Sequence, residues 1–165
     1  MNSSAADSAK IDGPVRLREA GPDDAEGISR IIAESPGAAK WAKEMVCHPG
    51  AAEKWLVAEW MNEVAAFVAI RATGQEAEIL NFAVRPAARR KGIATALLQK
   101  TLADLADAKI QEVFLEVRES NTAAITFYSR AGFLQSGTRP GYYRNPDEAA
   151  LCMKLKLTAQ DHVPT

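Results

Sequence analysis

The chain has 165 residues, the length of one ordinary domain, and its mixture of 47% hydrophobic and 25% charged residues is that of an average globular protein. Its 20 basic and 21 acidic side chains nearly cancel to a net charge of −1, against a general nucleic-acid binder, and two cysteines are too few for a disulfide framework or a zinc finger. No apolar run reaches the roughly 18 residues that cross a bilayer, and the opening MNSSAADSAKIDG has neither the basic start nor the apolar segment of a secretory leader, so a cytoplasmic protein is expected.

Residues 1–13 are small and polar and are expected to be disordered; residues 158–165 read as a loose tail, and 14–157 as a single domain. Val15-Arg16-Leu17-Arg18 alternates as a strand. A helix follows Gly21-Pro22-Asp23-Asp24, with Asp23 and Glu26 at capping-box spacing and Ile28, Ile31 and Ile32 as its apolar stripe. A weaker helix is expected from about Ala39 to Val46. Trp55–Ala58 and Val64–Ile70 read as a hairpin around Met61-Asn62-Glu63, and Glu78–Val84 as a further strand. From Gly92 to Asp107, Ala94, Leu97, Leu98, Thr101, Leu102 and Leu105 share one helical face. Val113–Val117 is a strand, Thr122–Arg130 a helix closed by Gly132, Phe133-Leu134 the start of a short strand, and Ala149–Leu157 the last. The order β-α-α-β-β-β-α-β-α-β-β predicts an α/β fold, a mixed sheet with helices packed on it.

Three stretches carry chemistry. In the first, an apolar strand runs into Arg89-Arg90-Lys91-Gly92-Ile93-Ala94-Thr95 and directly into a helix. A helix N-terminus offers unpaired N–H groups and a favourable dipole to an anion, and Gly92 lets it approach the backbone. With Arg85, four cations lie within seven residues, which suits a pyrophosphate; a solvated basic turn is the plain alternative. The second is Glu116, one carboxylate in the apolar strand Val113-Phe114-Leu115-Glu116-Val117. Burial raises a carboxylate's pKa and makes it a better base near neutrality; otherwise Glu116 sits at a water-facing edge or pairs with Arg118. In the third, Asn121, Ile125 and Tyr128 share one helical face, so Asn121 and Tyr128 can meet one extended ligand, or serve merely as a cap and a core aromatic.

Together these stretches resemble the GNAT acyltransferase superfamily from about Val15 to Leu157. Its [R/Q]-x-x-G-x-[G/A] turn stands as Arg89-Arg90-Lys91-Gly92-Ile93-Ala94. The run Leu115-Glu116-Val117-Arg118-Glu119-Ser120-Asn121-Thr122-Ala123-Ala124-Ile125, with Phe127-Tyr128, Gly132-Phe133, Asn81-Phe82-Ala83-Val84 and Gly141-Tyr142-Tyr143, is similar to the RimI-type protein N-terminal acetyltransferases, which act on the N-terminal alanine of a small-subunit ribosomal protein. The resemblance implies acetyl-CoA as cosubstrate and no metal. Phe82, Ala83 and Val84 would pair with the pantetheine arm, Arg90 to Thr95 would hold the pyrophosphate, and Asn121 would hydrogen-bond the cosubstrate. Glu116 would be the general base and Tyr128 the general acid. Trp41, Tyr142 and Tyr143 would line the acceptor site, although Lys40 stands where the subfamily often has a proline. The expected partner is a protein or peptide N-terminus, with a ribosomal protein as the candidate, no nucleic acid or membrane involved, and a monomer or weak dimer as the assembly. Acetylation of a small amine or an internal lysine is the alternative activity; a module that binds acetyl-CoA without transfer is disfavoured by the presence of Glu116 and Tyr128.

Overall fold

A computed structural model describes residues 13–36, 38 and 48–157. The expected disorder at the N-terminus, the loose C-terminal tail and the weaker helix at 39–46 fall outside the described residues, Gly13 apart. The elements are β1 (Val15–Glu19), α1 (Ala25–Glu34), β2 (Glu53–Trp60), β3 (Glu63–Thr73), β4 (Glu76–Val84), α2 (Ile93–Asp107), β5 (Glu112–Arg118), α3 (Thr122–Arg130), β6 (Leu134–Tyr143) and β7 (Glu148–Lys156). The strands form one sheet in the order β1-β2-β3-β4-β5-β7-β6, the mixed α/β arrangement expected. Every pairing is antiparallel except β4 with β5, whose connection crosses over through α2.

Local sequence explains most boundaries. Met61 and Asn62 both adopt positive φ, so the β2–β3 hairpin closes on these two residues, and Glu63 already pairs with Trp60. The Asp23–Glu26 capping box does not form. Asp24 does that work, its carboxylate accepting from the Gly21 N–H at 2.8 Å and from Arg18 at 2.7 and 2.9 Å. Arg18 also bridges to Glu59 at 3.1 Å, which ties β1, the start of α1 and β2 together. The Arg18 guanidinium holds the Asp24 carboxyl below the usual range.

Two apolar layers sandwich the sheet. Leu97, Leu98 and Leu105 of α2 and Tyr128 of α3 pack with Val68, Ile70, Ile79, Val113, Leu115, Val117, Phe133 and Met153 on one face. Ile28, Ile31 and Ile32 of α1 pack with Trp55, Val57, Phe67 and Ala69 on the other. Each fully buried aliphatic or aromatic side chain contributes about 1.5–3 kcal/mol. Thr101 is fully buried because its hydroxyl donates to the Leu97 carbonyl at 2.8 Å.

Two irregularities in β4 matter for the site. Ala69 faces Asn81 but Ile70 faces Ile79, so Leu80 is an extra, bulged residue. The bulge changes which side chains face which layer: Ile79 packs under α2 and α3, Leu80 and Ala83 pack toward α1, and Phe82 and Val84 return to the α2–α3 side. In addition, β4 and β5 pair only from Glu76↔Glu112 to Ile79↔Leu115. Beyond that point β5 stays with β7 and β4 with β3, so the sheet splays open between residues 80–84 and 116–118.

Candidate active site

The splay holds a cavity of about 570 Å³ lined by residues of β4 (Asn81, Phe82), β5 (Glu116, Arg118), α3 (Asn121, Tyr128) and the β6–β7 turn (Tyr143, Arg144), with Pro36 and Ala38 from beyond α1. Four predicted site residues, Phe82, Glu116, Asn121 and Tyr128, therefore meet in one place, and Tyr143 joins them. Trp41 lies outside the described residues.

Each side chain is delivered by its element. On β5, Val113, Leu115 and Val117 are buried under the helices, whereas Phe114, Glu116 and Arg118 point to the opposite, half-open face. Glu116 thus stands between the buried and the water-facing readings. It does not pair with Arg118. Its Oε1 forms an ion pair with Arg139 Nε at 3.0 Å, and the Tyr142 hydroxyl donates to the same carboxylate. That bond is the main reason the Tyr142 pKa is pushed up to about 12. Arg139 is mostly exposed, while the Glu116 side chain is only 17% exposed.

Asn121 caps α3, its side-chain oxygen accepting from the Ala124 N–H at 3.2 Å. The cap uses the acceptor of the amide and leaves its two donors for a ligand in the cavity. Tyr128 stands seven residues on along the same helix face and is 7% exposed. Phe82, Phe127 and Phe133 surround its ring at centroid distances of 6.4, 5.2 and 5.5 Å. This burial pushes the Tyr128 hydroxyl well above its ordinary value, so it holds its proton throughout the neutral range.

The turn before α2 has the anion-binding geometry. Gly92, at φ 77°, is the helix N-cap and supplies no side-chain cap. The first intrahelical bond is Ala96 N–H to the Gly92 carbonyl, so the N–H groups of Ile93, Ala94 and Thr95 have no acceptor within the helix. Arg90 also stands in the left-handed region, at φ 61°. Local contacts occupy most of the expected cations. Arg85 pairs with Glu63, Arg89 donates to the Val84 carbonyl at 3.3 Å, and Lys91 lies 5.2 Å over the Trp60 ring. The anion site is thus chiefly main chain. Along β4, the edge facing the splay has lost its strand partner from Leu80 onward; Arg85 and, two residues before it, Ala83 turn their backbone groups to β3, which leaves those of Phe82 and the Val84 N–H facing the opening, where an extended amide-bearing ligand can pair with them. A free strand edge thus leads to an uncapped helix start.

The chain matches the acetyltransferase (GNAT) family over residues 28–133. It belongs to that family. It is therefore an acetyl-CoA-dependent N-acetyltransferase. Among similar proteins, the ribosomal protein bS18-alanine N-acetyltransferase of Escherichia coli K12 is 36% identical over 99 residues, 59% of this chain and 67% of that protein. The crystal structure of the E. coli enzyme superposes with a TM-score of 0.81 at 26% identity, covering 92% of this chain and all of that one. Ard1 from Thermoplasma volcanium superposes at 0.77 with 28% identity, covering 87% of this chain and 98% of that one.

Two features of this GNAT site escaped the sequence reading. Arg139 sits on an edge strand, 23 residues from Glu116, with no local pattern to mark it. Glu148, at the start of β7, accepts from the Ser120 N–H and pairs with Arg118 at 3.3 Å. Only the pairing of β5 with β7 and of β7 with β6 brings these groups together.

Proposed function

We propose that this acetyltransferase modifies the N-terminal α-amine of a protein, with alanine as the favoured first residue and a ribosomal protein as the natural acceptor. The observation that carries this reading is the convergence of Glu116, Tyr128, Asn121 and Tyr143 on one cavity at the splay. The bS18-alanine specificity of the similar enzymes supports the choice of acceptor.

The thioester supplies an activated acetyl group; the chain positions it and moves two protons. Main-chain N–H groups of Ile93, Ala94 and Thr95 bind the pyrophosphate, β4 from Phe82 to Val84 pairs with the pantetheine arm, and the Asn121 amide donates to it. An α-amine has a pKa near 7.7–8.0 and arrives partly as a cation. It displaces Arg139 from Glu116, at small cost because an exposed ion pair contributes only about 0–1 kcal/mol. The amine attacks the carbonyl carbon in its neutral form, the cationic fraction having released its extra proton to solvent, and Glu116 takes, directly or through a water, the one proton the nitrogen sheds in becoming an amide and returns it to solvent. Backbone N–H groups at the free edge of β4 donate to the carbonyl oxygen as it gains charge. Tyr128 gives its proton to the departing sulfur and is reprotonated from solvent. Tyr142 and Tyr143, ring centroids 5.0 Å apart and perpendicular, form an aromatic wall for the first residues of the acceptor.

The test uses labelled acetyl-CoA with a peptide bearing a free N-terminal alanine, the same peptide N-terminally blocked but containing lysine, and a small diamine. Label entering the free-terminus peptide alone is the expected result. Label in the blocked peptide or the diamine alone overturns it in favour of lysine or small-amine acetylation.

A further inference from the structure

Arg118 has no part in proton transfer, yet it makes more contacts with the β6–β7 turn than any other side chain described at the site. Its Nη1 donates to the Pro146 carbonyl and to Glu148 Oε2, both at 3.3 Å, and its Nη2 donates to the Arg144 carbonyl at 3.4 Å. The guanidinium lies 4.4 Å over the Tyr143 ring. Glu148 holds the other end by accepting from the Ser120 N–H, one residue before the α3 cap. One planar cation thereby connects β5, the β5–α3 loop, the last residue of β6 and the first of β7. A turn without regular pairing needs such a clasp. Between Arg139 and Tyr143 the β6–β7 register is broken, and only Tyr143↔Glu148 closes the hairpin.

We propose that Arg118 is a positioning residue for the acceptor: it clamps the β6–β7 turn so that the Tyr143 ring stands at a fixed place in the wall of the splay cavity. Arginine suits the role and lysine does not match it, because a planar fork can stack on a ring while donating in its own plane to several oxygens. The clamp acts directly on the acceptor side, and its one link toward the cosubstrate is indirect, through Glu148 and the Ser120 N–H beside Asn121. The main-chain groups assigned to the pyrophosphate and the pantetheine arm lie on β4 and α2, which Arg118 does not touch. The inference rests on Tyr143 lining the acceptor site, as under the proposed function, and it is independent of Glu116 acting as base.

The experiment compares wild type, Arg118→Ala, Arg118→Lys, Tyr143→Ala and the Arg118→Ala/Tyr143→Ala double variant in the full chain. The acceptor is a short peptide with a free N-terminal alanine. We expect Arg118→Ala to raise the peptide KM about tenfold, with kcat and the KM for acetyl-CoA within about twofold of wild type. Tyr143→Ala should do the same, the double variant should be no worse than either single one, and Arg118→Lys should recover part of the loss. Multiplying effects in the double variant, or an effect confined to kcat or to acetyl-CoA, would overturn the proposal. Amide hydrogen exchange decides the matter even if the peptide is not acetylated, an outcome that counts against the proposed acceptor and not against the clamp. Arg118→Ala should speed exchange in residues 143–149 at least tenfold while leaving β2 and β3 unchanged, and unaltered exchange there sinks the clamp.

Discussion

Along the seam between β4 and β5, two stretches of similar length behave in opposite ways. From Glu76 to Ile79 the strand bonds to its neighbour, and Ala77 and Ile79 lie against Val113 and Leu115 beneath α2. From Leu80 to Val84 it turns one row of backbone groups toward an opening, and the side chains there include an amide, Asn81, and face the carboxylate Glu116. The first stretch spends its hydrogen bonds on cohesion; the second keeps them available for a guest. Bringing both behaviours onto one strand places the reactive groups one or two residues beyond rigid core, where they need little further support.

The contrast can be broken at its reactive end first. Replacing Glu116 by Gln keeps the shape and removes the base, so kcat for peptide acetylation should fall by about 10²–10⁴-fold. Acetyl-CoA affinity, measured by calorimetry, should be retained; a variant that turns over normally would exclude Glu116 as base. The cohesive end gives the converse. Val113 is completely buried, and Val113→Ala should lower unfolding free energy by about 2 kcal/mol in urea titration while leaving turnover per folded molecule unaltered. A large kinetic effect there would mean that the two stretches are not separable.

The smallest expected effect lies away from the seam and sharpens the comparison as a control. The Asp24 carboxyl is held below its ordinary value by Arg18, so the folded state binds its proton less readily than the unfolded chain does. The stabilisation is therefore fully present above the unfolded value near 3.9 and is lost as pH falls through the lower folded value. Asp24→Asn should cost about 1–2 kcal/mol at pH 7 and progressively less as pH falls below about 3.9, with activity at neutral pH changed only in proportion to folding. A gap that does not shrink below that pH would contradict the ion pair as its source.

The two ends of the seam also differ in how far they could be read from residues alone. The stripe Leu97, Leu98, Thr101, Leu105 and the trio Ile28, Ile31, Ile32 announced their helices, because helical periodicity is local and burial follows from it. The convergence of Glu116, Asn121 and Tyr128 came from their positions in a recognisable motif. The splay itself left no such trace, since a bulge of one residue at Leu80 alters neither composition nor alternation enough to be noticed. Strand β6 is expected to be a short strand starting at Phe133-Leu134. It runs from Leu134 to Tyr143, since an edge strand tolerates missing donors and absorbs them in register shifts at Gln135/Gly137 and Arg139/Tyr143. Same-face spacing offers Arg118 as one possible partner for Glu116, but Glu148 and the carbonyls of the turn claim it instead.

The extra residue in β4 also imposes a counting rule on anyone who re-engineers this scaffold. Because Leu80 shifts every later side chain of the strand to the opposite layer, Ile79 through Val84 can be varied in identity far more freely than in number. Inserting a single position between Asn81 and Phe82 would turn Phe82 toward α1 and Ala83 toward the aromatic cluster, exchanging the lining of the two layers at one stroke, whereas excising Leu80 would close the bulge and leave both residues in their present layers.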